Sequence, residues 1–252
     1  MAQHNNSSPQ ERLRIVQRTI AERGTVRIDE LAGELSVSEM TIRRDLDELE
    51  ALGVARRVRG GASAVGPEPF ASRQAHNAKA KGRIAEKLLR LVPATGTLAL
   101  DASTTVHRLA ATIEGARDLV VVTNGLDSFD ALGGRPGVTT MLSGGLREPR
   151  TGSLVGPPAV QCATGFLYDL FVCSGAAIDP ETGTSEASLE EAEVKRAFAS
   201  TSRQIVLAVD HTKLGTRARA RMFSLHEVDL LVTDLDPGDD RLDPYRDRVE
   251  LQ

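Results

Sequence analysis

The sequence predicts a chain of α/β class with two domains: a small helical module that closes on a short strand, then a larger domain around a mostly parallel sheet. Three observations carry this reading. Apolar residues recur at three- and four-residue spacing over residues 9–52, the period of amphipathic helices. From residue 79 onward, short uninterrupted apolar runs alternate with amphipathic stretches, the pattern of strands covered on both faces and joined by helices. Between the two lies Gly60-Gly61-Ala62-Ser63-Ala64-Val65-Gly66-Pro67-Glu68-Pro69, whose small residues and prolines neither extend a helix nor fill a core.

Composition narrows the class. With 252 residues, 40% of them apolar and 26% charged, the chain is globular rather than disordered. No apolar run approaches the roughly 18 residues that span a bilayer. The polar start, residues 1–10, lacks the apolar core of a signal peptide, so a cytoplasmic location is expected. Cys162 and Cys173 fit no metal spacing and no disulfide framework, and both read as buried thiols. Residues 1–62 hold ten Arg, no Lys and ten Asp or Glu, so residues 63–252 carry the whole net charge of −4. A neutral module still suits a polyanion if its arginines cluster, and here they do: Arg43 and Arg44, then Arg56, Arg57 and Arg59.

Taken in order, Ser8-Pro9 predicts a cap and first turn for a helix to Arg23, with Leu13, Ile15, Val16 and Ile20 on one stripe and Gly24 as its stop. Val26 and Ile28 form a short extended piece. Asp29 is placed to cap a second helix over 30–35. Ser36-Val37-Ser38 makes a turn, and Ser38 caps a third helix over 39–52 with Ile42, Leu46, Leu49 and Leu52 apolar. Residues 54–58 then read as a strand closed by Gly60-Gly61. This is a helix-turn-helix, over 26–45, with a following β-wing. Ser38 and Thr41 at the third helix's start suit phosphates, and Arg43 and Arg44 can reach phosphates or guanine edges in a major groove. Arg56, Arg57 and Arg59 would lie beside it. Asp45, Asp47, Glu48 and Glu50 are expected to face solvent or pair with Arg43 and Arg44. The helix pattern alone equally suits a protein-interaction module.

The specific strings decide further. Glu11-Arg12-Leu13, then Val37-Ser38-Glu39-Met40-Thr41-Ile42-Arg43-Arg44-Asp45-Leu46, then Arg57-Val58-Arg59-Gly60-Gly61-Ala62, closely resemble the DeoR family of bacterial transcriptional regulators. The match covers the module in order and at the family's spacing.

In the larger domain, residues 79–91 read as a helix with Ile84, Leu88 and Leu91 inward. Strands are expected at 97–100, 119–123, 138–142, 170–173, 204–208 and 229–232, with helices at 106–113 and 189–199 between some of them. The Asp- and Pro-rich tail after Asp236 reads as a solvated end. Polar groups follow the strands: Asp101-Ala102-Ser103-Thr104-Thr105, Thr123-Asn124-Gly125, Ser143-Gly144-Gly145, Ser174-Gly175-Ala176 and Asp210-His211-Thr212-Lys213. Open α/β sheets bind ligands at those carboxyl ends. The hydroxyl run opening a helix suits a phosphate, Lys213 a countercharge, and Asp101, Asn124 and Asp210 sugar hydroxyls. Singly, each is an ordinary cap or turn, and Glu191 and Lys195, four apart, read as an exposed helix pair.

The resemblance continues through these strings and through Glu193-Val194-Lys195-Arg196 and Val232-Thr233-Asp234, so it spans nearly the whole chain. It implies a winged helix-turn-helix over 1–62, a linker over 63–76, and a Rossmann-like sensor domain over 77–252 similar in fold to sugar-phosphate isomerases. It further implies a homodimer or homotetramer on double-stranded operator DNA, controlled by a phosphorylated sugar, with no cofactor, metal or membrane partner. Carried over by position, Asp101, Ser103, Thr104, Thr105, Asn124, Gly144, Gly145, Lys195, Asp210 and Lys213 are its effector-site candidates. Ser103 stands where the family usually has glycine, and residues 174–179 match only loosely. The competing reading is an isomerase fused to a DNA-binding tip, with Asp101, Glu191 and Asp210 as carboxylates for proton transfer and Lys213 beside an oxyanion.

Overall fold

The computed structural model describes residues 8–65 and 68–252. The polar start up to Ser7, and Gly66 and Pro67, lie outside the described residues. The chain divides into two compact units, Met1–Arg73 and Gln74–Gln252.

In the first unit, Ser8 caps α1 (Pro9–Arg23), its hydroxyl accepting from Glu11 N at 3.2 Å. Then come β1 (Thr25–Arg27), α2 (Ile28–Leu35), α3 (Glu39–Ala51), β2 (Ala55–Val58) and β3 (Gly61–Ala64). The strands form an antiparallel sheet in the order β1-β3-β2, so the wing is a hairpin sewn to the segment that precedes α2. Val16, Ile20, Leu31, Ile42, Leu46 and Leu49 make the core, as their spacing predicts. Three local readings change. Asp29 does not cap α2: that helix starts two residues earlier than expected, at Ile28, and Asp29 lies inside it and accepts from Arg27 at 3.0 Å. Leu52 follows α3 and is 64% exposed rather than in the core. The segment 63–76, read as a linker, holds the end of β3, the buried Pro69 and a short helix, α4 (Phe70–Ala75).

The second unit runs α5 (Ala78–Leu89), β4 (Thr95–Leu100), α6 (Thr104–Ala110), β5 (Asp118–Thr123), α7 (Leu126–Leu132), β6 (Val138–Leu142), β7 (Leu146–Arg147), β8 (Leu154–Val155), α8 (Pro157–Thr164) and β9 (Leu170–Cys173). It continues with β10 (Ala177–Asp179), β11 (Gly183–Glu186), α9 (Leu189–Ser200), β12 (Ile205–Ala208), β13 (Ala220–Arg221), β14 (Leu230–Val232) and β15 (Glu250–Leu251). Seven strands form one sheet in the order β15-β14-β12-β9-β4-β5-β6, every neighbour parallel. A smaller antiparallel sheet, β10-β11-β13, flanks it.

The uninterrupted apolar runs are explained by burial on both faces. Leu98, Leu100, Leu170 and Val172 pack with Ile84 and Leu88 of α5 and Val106 and Leu109 of α6. Ala99, Phe171 and Cys173 point the other way, to Ala159 of α8 and Val194 and Phe198 of α9. The edge strand β6 departs from this, alternating half-buried and exposed residues. The tail is not a solvated end: Leu242, Tyr245 and Val249 are buried, and β15 completes the sheet beside β14. Cys173 is buried, but Cys162 is only half-buried.

Two glycines in the first unit make opposite demands. A Cβ at Gly61 would lie 1.9 Å from the Val26 carbonyl oxygen, so the β1–β3 pair closes only without a side chain there. Gly33, inside α2, has open space around it. Gly61→Ala is expected to cost about 1–3 kcal/mol, and Gly33→Ala to add about 0.5–1 kcal/mol. Urea denaturation of the two variants checks this, and shifts of the same sign would refute it.

Candidate functional site

Two constellations emerge, one in each unit. In the first, α3 presents the predicted nucleic-acid residues from a firmly capped start. Ser38 Oγ accepts from Thr41 N at 3.1 Å and lies 2.9 Å from Thr41 Oγ1. The acidic residues of α3 are placed differently from expectation. Asp45 is buried and takes two hydrogen bonds from Arg12 of α1, at 2.6 and 2.9 Å. Asp47 pairs with Arg57 at 3.6 Å, and Glu50 accepts from Arg57 N at 2.9 Å. Arg43 is held by Glu39 at 3.3 Å.

These pairings sort the arginines. Among the described residues, Arg12, Arg18, Arg23, Arg27, Arg43 and Arg57 each have a carboxylate partner. Arg14 on α1 has none, and neither do Arg44, Arg56 and Arg59; all four are exposed. A unit with no net charge thus concentrates most of its unneutralised positive charge on α3 and the wing. Arg57, grouped with them from the sequence, is instead folded against α3 and half-buried.

The second constellation sits where the parallel sheet divides. From β4 the chain moves outward through β5 to β6, then returns to β9 on the other side of β4. The loops leaving β4 and β9 therefore diverge at their carboxyl ends, the place where open α/β sheets have their ligand crevice. Asp101, fully buried, bridges them: Oδ1 accepts from Ser103 N at 3.0 Å and Oδ2 from Ser174 N at 2.8 Å. Lys195 of α9 meets Asp101 Oδ2 at 2.8 Å, donates to Ser174 O at 2.8 Å, and is ion-paired with Glu186 of β11. Glu191, one turn earlier on α9, accepts from Ser153 Oγ at 2.8 Å, which lies 2.7 Å from Thr151 Oγ1. Glu191 and Lys195 are thus buried in the site, not an exposed pair.

The electrostatics follow from crowding. Burial pushes the Glu186 carboxyl above the ordinary glutamate range, and Glu191 and Asp101 add repulsion against the pull of Lys195. Burial alone would push the Lys195 ammonium down, but the combined fields of Asp101, Glu186 and Glu191 carry it above the ordinary lysine value. Three carboxylates around one cation leave the crevice rich in hydrogen-bond acceptors.

The other candidates follow the carboxyl ends of β4, β5, β6 and β12. Ser103 caps α6, accepting from Val106 N at 3.2 Å, so its hydroxyl oxygen is engaged by the fold while its proton can still be donated. Thr104 and Thr105 follow, both buried. Asn124, after β5, donates to Leu154 O at 3.1 Å, while its buried Oδ1 has no partner among the described residues. Gly144 and Gly145 take φ of +71° and +115°, and a Cβ on Gly145 would meet Val155 O at 2.6 Å. They make a backbone turn against the loop that holds Ser153. Asp210 and Lys213 belong to a separate group: buried Asp210 accepts from Asn77 Nδ2 at 3.0 Å and Thr212 N at 3.1 Å. Sequence reasoning missed Glu186, Ser153 and Asn77, and it also missed Lys81, a lysine only 5% exposed one turn into α5. A lysine three residues before Ile84, on the apolar stripe of that helix, was the one available signal.

Comparison with known proteins follows the same division. The model of the DeoR-like helix-turn-helix domain matches residues 12–68, and that of the DeoR C terminal sensor domain matches residues 76–235. The glycerol-3-phosphate regulon repressor of Escherichia coli (strain K12) is 32% identical over 221 residues, 86% of this chain and 88% of that protein. The HTH-type transcriptional repressor CsqR of the same organism is 33% identical, covering 85% of this chain and 84% of its own length. The HTH-type transcriptional regulator GolR of Listeria innocua is 31% identical, covering 90% and 91%. Ribose 5-phosphate isomerase A of Methanocaldococcus jannaschii aligns over 54% of each chain at 12% identity with a TM-score of 0.39, a likeness that carries no weight for chemistry.

Removing Lys195 strands its carboxylates. Lys195→Met is expected to destabilise the second unit by about 3–5 kcal/mol near neutral pH. Glu186, already raised by burial, would bind its proton more tightly folded than unfolded, so stability returns as the pH falls through its raised folded value toward the ordinary 4.5. Urea midpoints for wild type and variant at pH 7.5 and pH 5 measure both effects. A deficit that does not shrink at the lower pH would show that the cluster is not the cause.

Proposed function

The chain belongs to the DeoR family of transcriptional regulators, and from that premise we propose that α3 and the wing hold operator DNA while the carboxyl-end loops of the parallel sheet hold a phosphorylated sugar or polyol that sets operator affinity. It is a DNA-binding transcriptional regulator and not an enzyme, as its relatives are repressors. The proposal concerns which residues act and on what.

One observation carries the DNA half. Among the described residues, the arginines left without carboxylate partners on α3 and the wing are Arg44, Arg56 and Arg59. Arg44 would read a base edge, while Arg56 and Arg59 would contact phosphates or the minor groove. Ser38, Thr41 and Arg43 would support them at the helix start, and Arg57 would fix the wing against α3. A homodimer or homotetramer in the cytoplasm would place two such units on paired half-sites.

The effector half rests on the acceptor-rich crevice. Asp101, Lys195 and the unpartnered oxygen of Asn124 would meet hydroxyls, and Ser103, Thr104 and Thr105 the phosphate, with Gly144 and Gly145 shaping the wall. Lys213 would supply countercharge, and Asp210 would bind in competition with Asn77. The division into a DNA-binding domain over 1–62 and an effector domain over 77–252 gives that competition an outlet. Asn77 stands at the entrance to α5, a few residues after the boundary between Arg73 and Gln74. To release DNA, the effector must bind the DNA-incompetent arrangement more tightly, since equal affinity for both shifts nothing.

The test is fluorescence anisotropy on DNA from upstream of the protein's own gene, at fixed salt, with glycerol 3-phosphate and a series of aldose and ketose phosphates. Arg44→Ala is expected to weaken DNA binding about tenfold or more and leave effector affinity unchanged. Lys213→Ala is expected to raise the effector Kd about tenfold and leave effector-free DNA binding unchanged. Wild-type DNA affinity from Arg44→Ala would refute the first assignment, and an unaltered effector Kd in Lys213→Ala the second.

A further inference from the structure

The outward face of α3 carries one side chain that the charge pattern does not account for. Met40 is 58% exposed, a large apolar group on an otherwise polar surface. Ile42, Asp45, Leu46 and Leu49 are the buried residues of α3. At about 100° per residue, the direction opposite their mean falls between Met40 and Arg44, with Asp47 and Ala51 continuing the stripe. All four are exposed. Asp47 is drawn to Arg57, and Arg43, to one side of the stripe, is held by Glu39. Met40 and Arg44 are therefore the outermost free side chains on the half of α3 that begins at its Ser38 cap.

The first turns of a recognition helix meet base edges. Major-groove edges offer only one apolar group, the thymine C5-methyl. A flexible thioether chain beside an arginine matches that group as the guanidinium matches guanine O6 and N7. We propose that Met40 is a specificity-determining residue that reads a thymine methyl next to the base read by Arg44. The inference rests on the assignment of α3 to the major groove. One helical turn advances about 5.4 Å against about 3.4 Å per base pair, so the thymine lies one or two base pairs from the guanine that Arg44 contacts.

The probe is the tightest-binding duplex that the full chain selects from a random-sequence pool at fixed salt. Each thymine is replaced in turn by deoxyuridine, which removes the methyl and leaves the hydrogen-bonding edge unchanged. Wild type is expected to lose about three- to fivefold in affinity at one position, the worth of one buried methyl. Met40→Leu retains that penalty, and Met40→Ala abolishes it. Because Met40 lies outside the buried core, Met40→Ala keeps its thermal midpoint. A penalty that persists in Met40→Ala, or no sensitive thymine in a duplex whose binding Arg44→Ala weakens, overturns the Met40 assignment alone. A pool that yields no preferred sequence overturns the placement of α3 in the groove and this inference with it.

Discussion

The second unit depends on one buried contact, between the Lys195 ammonium and the Asp101 carboxylate. A parallel sheet that reverses its direction of winding must separate the loops on either side of the reversal, and separated loops leave backbone N–H groups without sheet partners. Asp101 satisfies one on each side, from Ser103 and Ser174. A fully buried carboxylate in that role needs a cation, and α9 delivers it. The remaining arrangement follows: α9 packs over the site, Glu191 comes with it, and Glu186 takes the other side of the ammonium. The crevice owes its acceptor-rich character to the same contact that closes the fold beneath it.

A smaller version of this device governs the first unit. Asp45 lies on the inner side of α3, where an apolar residue would suffice for burial, and Arg12 reaches it from α1 with two parallel hydrogen bonds. A bidentate pair fixes orientation as well as distance. With Asp45 held inward, the rotation of α3 about its axis is set, and Met40 and Arg44 are turned outward. Most of the acidic residues that cancel the unit's net charge are likewise paired with arginines elsewhere, which leaves Arg44, Arg56 and Arg59 for a partner. Net charge was uninformative because it sums groups that the fold separates.

What could be read from the sequence was local or periodic. Ser8 and Ser38 capped the helices assigned to them, the three-residue and four-residue spacing placed Ile42, Leu46 and Leu49 inside, and doubly apolar runs gave a parallel sheet. What escaped was long-range pairing. Asp45 was expected to face solvent or to pair with nearby arginines, yet its partner lies 33 residues away. Glu191 and Lys195 satisfied the helical pair rule, but each is claimed by another element. The tail's charges suggested solvent, whereas Leu242, Tyr245 and Val249 were spaced among them to anchor β15. Local rules describe what a segment can do alone, and tertiary burial overrides them wherever a charge has a distant partner.

Asn77 holds φ at +52°, a left-handed conformation that a non-glycine residue adopts at a cost. Its amide is tied to Asp210 at 3.0 Å and Thr212 at 3.1 Å, and these bonds offset that cost. A ligand hydroxyl on Asp210 would compete for the same carboxylate oxygen and remove some of the offset, leaving the entrance to α5 free to relax. Lys195 and Asp101 suit the opposite role, because a pair whose loss strands buried charge cannot serve as the moving element. In the proposed reading, the rigid cluster around Lys195 recognises the ligand, and the strained group at Asn77 and Asp210 answers to it.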